Sequence, residues 1–212
     1  MRLVFLLALT CSLLSIKAQA AFFYAPNSCE KAIKIAEEKY QIPQGLLQAI
    51  GIVESGKKNT HKPWPWSVGT TKKSHYPSSK ETAISLAKKL QATGIKNIDV
   101  GCMQINLKAH PKAFKHLKDA FDPHKNVTYA AKLIKFLKTK KNTWNDVIGL
   151  YHSNKKKFYS PYKKRVYLAW FSFLTKKIKE GRNTKKTYRG KVMFKGSKEL
   201  PKALKLNVSN LK

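Results

Sequence analysis

Residues 44–56, QGLLQAIGIVESG, decide how the chain reads. Leu46, Leu47, Ile50 and Val53 recur at the three-to-four spacing of one helix face, and Gly56 is expected to close that helix as a left-handed residue. Glu54 follows Ile50 by one turn and Leu47 by two, on the border of the apolar stripe. A carboxylate placed there loses solvation when it ionises, so its pKa should climb toward neutrality, as a general acid requires. The competing reading is a solvated glutamate near a helix end, since most glutamates face water.

Working outward, Asn27 and Glu30 suggest a capping box for a helix over 30–40, with Ala32, Ile33, Ala36 and Tyr40 facing inward. Pro43 suits the first turn of the helix that carries Glu54, so the two form a helical hairpin. Pro63-Trp64-Pro65-Trp66, Gly69 and Ser78-Ser79 forbid a long helix over 57–79, where Trp66-Ser67-Val68 and His75-Tyr76 predict a short β-hairpin. Ser78 and Glu81 cap a helix ended by Gly94, and Gly101 marks a tight backbone approach within 97–107. Phe114, Leu117 and Phe121 give a short helical piece; Asp122-Pro123 opens a helix to about residue 138, and Thr143 with Asp146 caps the next, over about 144–151. Ser160-Pro161 starts a long helix stopped by Gly181, with Val166, Trp170, Phe171, Leu174 and Ile178 inward. The expected fold is mainly α, a helical domain with one small β-hairpin excursion.

Residues 1–20 read as a secretory signal: Arg2, an apolar run over 3–16, and Ala18-Gln19-Ala20 as a cleavage site. The expected organisation is a leader over 1–20, a domain over 21–181 and a basic C-terminal tail over 182–212. No second long apolar run follows, so the mature chain is expected to be exported, periplasmic or secreted, without a stable membrane span. The full sequence has 43 Lys and Arg residues against 11 Asp and Glu, a formal charge of +32. Such a field seeks polyanions; export favours an anionic wall polymer or lipid over nucleic acid, which is not expected as a partner. Lysines stud every polar helix face instead of forming one patch, which also fits plain compositional bias. Cleavage removes Cys11 and leaves Cys29 and Cys102 where oxidation is permitted. A bridge between them and a pair of free thiols both remain open.

The chain lacks H-E-x-x-H, a P-loop, G-x-S-x-G and C-x-x-C, and its six histidines have no metal-ligand spacing, so no metal or organic cofactor is implied. What remains is an ordered series: Glu54-Ser55, Gly101-Cys102-Met103-Gln104-Ile105-Asn106, Tyr151-His152-Ser153 and Tyr162-x-x-Arg165-Val166. Together these blocks resemble the soluble lytic transglycosylase domain family, related to goose-type lysozyme. Pro63-Trp64-Pro65-Trp66, the stretch from Asp99 to Gln104 and Tyr151-His152-Ser153 are similar to small exported members associated with type IV secretion.

The resemblance implies cleavage of the β-1,4 bond between N-acetylmuramic acid and N-acetylglucosamine in peptidoglycan, ending in a 1,6-anhydro-muramyl product. Glu54 matches the family's single acid/base, in contrast to two-carboxylate glycosidases. Gln104 matches a glutamine of the sugar cleft and Tyr151 a tyrosine that bonds near the catalytic carboxylate. Ser55, Met103, Asn106 and Tyr162 are carried over as further substrate-binding positions. Trp64 and Trp66 are candidates for stacking on sugar faces, or for the core. Two departures stand out: His152-Ser153-Asn154 replaces the frequent Asn-Ala-Gly, and Cys102 replaces a Leu. Asp99 is expected to cap the turn before Gly101; facing the muramyl C1, it would instead direct water. The alternatives are therefore a muramidase, or a basic wall- or nucleic-acid-binding module without catalysis. The implied partners are peptidoglycan glycan strands and a secretion or envelope complex.

Overall fold

A computed structural model describes residues 28–57 and 60–184. The expected leader over 1–20, the Asn27 cap and nearly all of the expected tail lie outside these residues. Among the described residues, seven helices and four short strands follow in order: α1 (Cys29–Lys39), α2 (Leu46–Ser55), β1 (Val68–Thr70), β2 (Ser74–His75), α3 (Lys80–Ala92), β3 (Ile98–Val100), β4 (Ile105–Asn106), α4 (Leu117–Ala120), α5 (Pro123–Lys140), α6 (Trp144–His152) and α7 (Lys156–Thr184).

The larger core is helical. It gathers the inner faces of α1, α2, α5, α6 and α7 with Cys102, Met103 and Ile105, and α2 lies against α7 at its centre. Leu46, Leu47, Ala49 and Ile50 are completely buried, and each large aliphatic among them contributes roughly 1.5–3 kcal/mol on burial. The smaller core joins Val68, Ile98 and Val100 of the sheet to Ala83 and Ala87 of α3 and to Ala120 and Phe121. Glu54 sits near the end of α2, the helix whose following segment leads from the first core to the second.

The hairpin read from the sequence exists, with Val68 opposite His75, but it is half of a larger element. The sheet is antiparallel in the order β2-β1-β3-β4, with β3 pairing β1 and β4 pairing β3. The other two strands, β3 and β4, escaped the sequence reading because they are three and two residues long, too short for an alternating pattern to register.

Several local signals act one residue or one role away from expectation. Ser28 caps α1, accepting from the Lys31 N–H, and Ser79, not Ser78, caps α3. Gly56 has φ −62° and extended ψ; the left-handed residue of α2 is Gly45, at its N-terminus, with φ +81°. Pro43 precedes that helix instead of occupying its first turn, and its carbonyl accepts from Leu46 N–H. A carboxylate replaces the missing cap: Glu37 of α1, itself buried, accepts from the N–H groups of Gly45, Leu47 and Gln48 at 2.8, 2.8 and 3.3 Å. A negative charge there also meets the positive end of the helix dipole. Asp122 and Thr143 cap α5 and α6 as expected. Helix α7 begins before Pro161 and passes through Gly181. Its Val166, Trp170 and Leu174 are buried as anticipated, whereas Ile178 is exposed. Among the described residues no helix is long and apolar enough to cross a membrane.

Cys29 and Cys102 are disulfide-bonded, tying the start of α1 to the loop between β3 and β4. Closing a loop with a sequence separation of 73 stabilises by about 4 kcal/mol in the chain-entropy model.

Candidate active site

The β3–β4 loop, Gly101 to Gln104, is the floor of the site, and its shape is forced. Gly101 has φ +79°, and a Cβ on it would lie 2.4 Å from Asn126 Nδ2 and 2.7 Å from the Ala120 carbonyl, so only glycine fits. Asn126 of α5 is fully buried and spends its whole amide on this region. Its Oδ1 accepts from Met103 N–H at 2.9 Å, and its Nδ2 donates to the carbonyls of Val100 (2.8 Å) and Ala120 (3.0 Å). Nothing in the sequence flagged Asn126, because an asparagine in the second turn of a capped helix is unremarkable until its partners are known.

The loop is then bonded to α2 and α6. Ser55 Oγ donates to the Cys102 carbonyl at 2.6 Å and accepts from Trp64 N–H at 3.1 Å. Tyr151 donates its hydroxyl to the Met103 carbonyl at 2.7 Å. Ser55 and the Met103 side chain are wholly buried. Gln104 is partly exposed and holds φ +47°, a strained region for a residue with a Cβ. Its Nε2 donates to the carbonyls of Ser67 and Gly101, which aims Oε1 toward Gly69. A Cβ at Gly69 would come within 2.5 Å of that oxygen and 3.3 Å of Asp99 Cβ, so Gly69 leaves the space in which both side chains stand.

Asp99 does not cap the turn. Its Oδ1 accepts from Asn106 Nδ2 at 2.9 Å across the β3–β4 pair, while Asn106 Oδ1 accepts from the N–H groups of Lys108 and Ala109. Burial pushes the Asp99 pKa up, partly offset by the Asn106 bond.

Glu54 is partly buried, and its Oε1 accepts from the Tyr162 hydroxyl at 2.7 Å. The tyrosine on the carboxylate is thus Tyr162 of α7, a second-rank sequence candidate, and Tyr151 is bonded to the loop instead. Desolvation raises Glu54 from its ordinary 4.5 to about 7; the Tyr162 bond pulls it down, the Asp99 charge pushes it up and Arg165 pulls it down. Tyr151 and Tyr162 are both driven well above the usual phenol range, first by burial and then by the charge on Glu54. They are therefore neutral hydroxyl donors. The arrangement gives one carboxyl that populates both protonation states near neutrality, with its Oε1 fixed by a phenol and its Oε2 left to carry the proton.

Trp64 and Trp66 meet edge to face at 5.7 Å; Trp64 Nε1 donates to the Pro77 carbonyl, and Lys57 Nζ lies 5.3 Å from its ring centre. Both rings are only partly buried, and Trp66 packs against the smaller core. Among the described residues no group of three His, Cys, Asp or Glu side chains could hold a metal ion.

Compared with known families, the chain matches the model of the transglycosylase SLT domain over residues 31–165, a span that contains Glu54, the β3–β4 loop, Tyr151 and Tyr162. No curated protein and no solved structure matches it.

Proposed function

Since the chain belongs to the transglycosylase SLT domain family, whose activity is directed at peptidoglycan, we propose that it is a lytic transglycosylase of the bond between N-acetylmuramic acid and N-acetylglucosamine. The observation that carries this reading is a single glutamate, Glu54, poised at about 7 and bonded to a neutral tyrosine. Protonated at Oε2, Glu54 gives its proton to the glycosidic oxygen as the C1–O bond breaks and positive charge develops on the muramyl ring. The resulting carboxylate stabilises that charge and then takes the proton of the muramyl C6 hydroxyl as its oxygen bonds C1. The carboxyl returns to its starting state, the product is a 1,6-anhydro end, and no water is consumed.

In this reading Tyr162 and Arg165 hold the ionised form after the first step, and burial together with Asp99 restores the proton for the next cycle. Gln104, Asn106 and Tyr151 border the substrate, with Gln104 Oε1 suited to accept from an acetamido N–H. Action on peptidoglycan is extracytoplasmic, in keeping with the exported, leader-bearing chain read from the sequence. The type IV secretion setting and a partner complex rest on the sequence resemblance alone.

A muramidase is the second reading, and one observation favours it. Asp99 is a part-buried carboxylate close enough to raise the Glu54 pKa, instead of being folded into a turn cap. If it directs a water at C1, the same first step ends in hydrolysis. The basic-module alternative lacks catalysis altogether. Turnover of purified sacculi by wild type and Glu54→Gln tests the catalytic assignment: glutamine cannot transfer the proton, and acid/base catalysis is worth about 10²–10⁴-fold. Retention of more than a few per cent of the parent rate overturns it.

A further inference from the structure

His152, the residue after Tyr151, lies directly on the phenol that holds Glu54. His152 ends α6, and its ring stacks flat on that of Tyr162, with centroids 4.3 Å apart and planes within 4°. Tyr162 is buried to 1% exposure, donates to Glu54 Oε1 at 2.7 Å, and has the Arg165 guanidinium 5.7 Å from its ring centre. We propose that His152 is a positioning residue for Glu54, acting through the Tyr162 ring and not through contact with substrate. This inference deepens the acid/base reading of Glu54 and rests on it for its catalytic consequence.

A phenol is a long lever, and a small tilt at its Cα end becomes a displacement at the hydroxyl on the ångström scale. A misplacement of about 1 Å at a reacting group costs on the order of 10²-fold. A flat ring at van der Waals distance resists that tilt, and ring pairs of this kind contribute beyond their buried area. Histidine suits a position that is covered on one face and otherwise exposed, because its nitrogens stay in water while the face packs. Burial and the nearby Arg165 both pull the His152 pKa down, so the ring over Tyr162 is neutral at neutral pH and adds no second cation beside the guanidinium.

The test compares wild type with His152→Ala, His152→Phe, Tyr162→Phe and the His152→Ala/Tyr162→Phe double variant. Two readouts are taken: the pH profile of kcat, and the Glu54 titration seen by infrared difference spectroscopy against Glu54→Gln. His152→Ala should lower kcat about ten-fold and move both the alkaline limb and the Glu54 titration upward by about half a unit to one unit. That change equals weakening, without loss, of a hydrogen bond to an ionised group. His152→Phe, which keeps a flat ring, should restore both values. In the Tyr162→Phe background, where the hydroxyl is already gone, His152→Ala should shift the titration no further. An unmoved titration in His152→Ala, a failure of His152→Phe to restore it, or an equal shift in the Tyr162→Phe background each overturns the proposal. A Glu54→Gln variant that still cleaves would defeat the catalytic reading instead, and the infrared titration would decide the positioning claim regardless.

Discussion

Glu54 should cost the folded protein stability at alkaline pH, and replacing it should recover that stability. Its pKa is raised from 4.5 to about 7 on folding, chiefly by burial. Below about 4.5 both folded and unfolded chains carry the proton, and no pH-dependent term arises. Between there and about 7 the unfolded chain has lost the proton that the folded chain keeps, so stability falls as pH rises. Above about 7 the whole difference is felt, at most about 3 kcal/mol for a group that keeps some contact with solvent. Glu37, also raised to about 7 by burial, adds a fall of the same sign, so the wild-type curve alone does not isolate Glu54. Glutamine is nearly isosteric, still accepts from Tyr162, and never ionises. Glu54→Gln should therefore match wild type within about 1 kcal/mol at pH 5 and exceed it by about 2–3 kcal/mol at pH 8, or about 4–12 °C in Tm for a domain of this size. Urea unfolding of both proteins at pH 5, 6.5 and 8 gives the difference curve directly. A flat difference, or a wild type more stable than Glu54→Gln at pH 8, would refute the claim that folding strains this carboxylate.

Other outcomes follow from single contacts. Tyr162→Phe removes a 2.7 Å bond to the ionised carboxyl, and such bonds are worth about 1.5–3 kcal/mol, so the alkaline limb of the pH–rate profile should rise by about one to two units; a limb that stays or falls contradicts it. Gly69→Ala drives a Cβ into Gln104 Oε1 and should raise KM for glycan fragments several-fold while circular dichroism shows a folded protein; an unchanged KM removes Gln104 from substrate binding. Reducing the Cys29–Cys102 bond should lower stability by about 4 kcal/mol, read as a lower Tm in reductant. Asn126→Ala should cost about 2–4 kcal/mol, because two carbonyls and one N–H lose their buried partner together; a neutral effect in thermal unfolding would mean that the loop holds itself.

The stripe Leu46, Leu47, Ile50 was legible because helix periodicity is local, and it led directly to Glu54. The capping residues at 122 and 143 were legible for the same reason, since a cap and its helix lie within a few residues. What failed was whatever depended on a distant partner. Gly56 looked like a left-handed terminator, yet the positive φ belongs to Gly45, where Glu37 from another helix supplies the cap. Asp99 looked like a turn former and is instead paired across two strands too short to announce themselves. Tyr151 and Tyr162 came from the correct blocks, but which phenol reaches Glu54 depends on how α7 lies against α2, 108 residues apart in the chain for that one bond. His152 registered only as part of a motif block, because stacking has no sequence signature.

The identity of the released muropeptide ends tests the central claim most directly. Purified sacculi digested with the wild-type protein and analysed by mass spectrometry should yield 1,6-anhydro-muramyl ends, with none from Glu54→Gln. Ends that carry the mass of one added water would instead make the enzyme a hydrolase, and no release from the folded wild-type protein would contradict the catalytic account altogether.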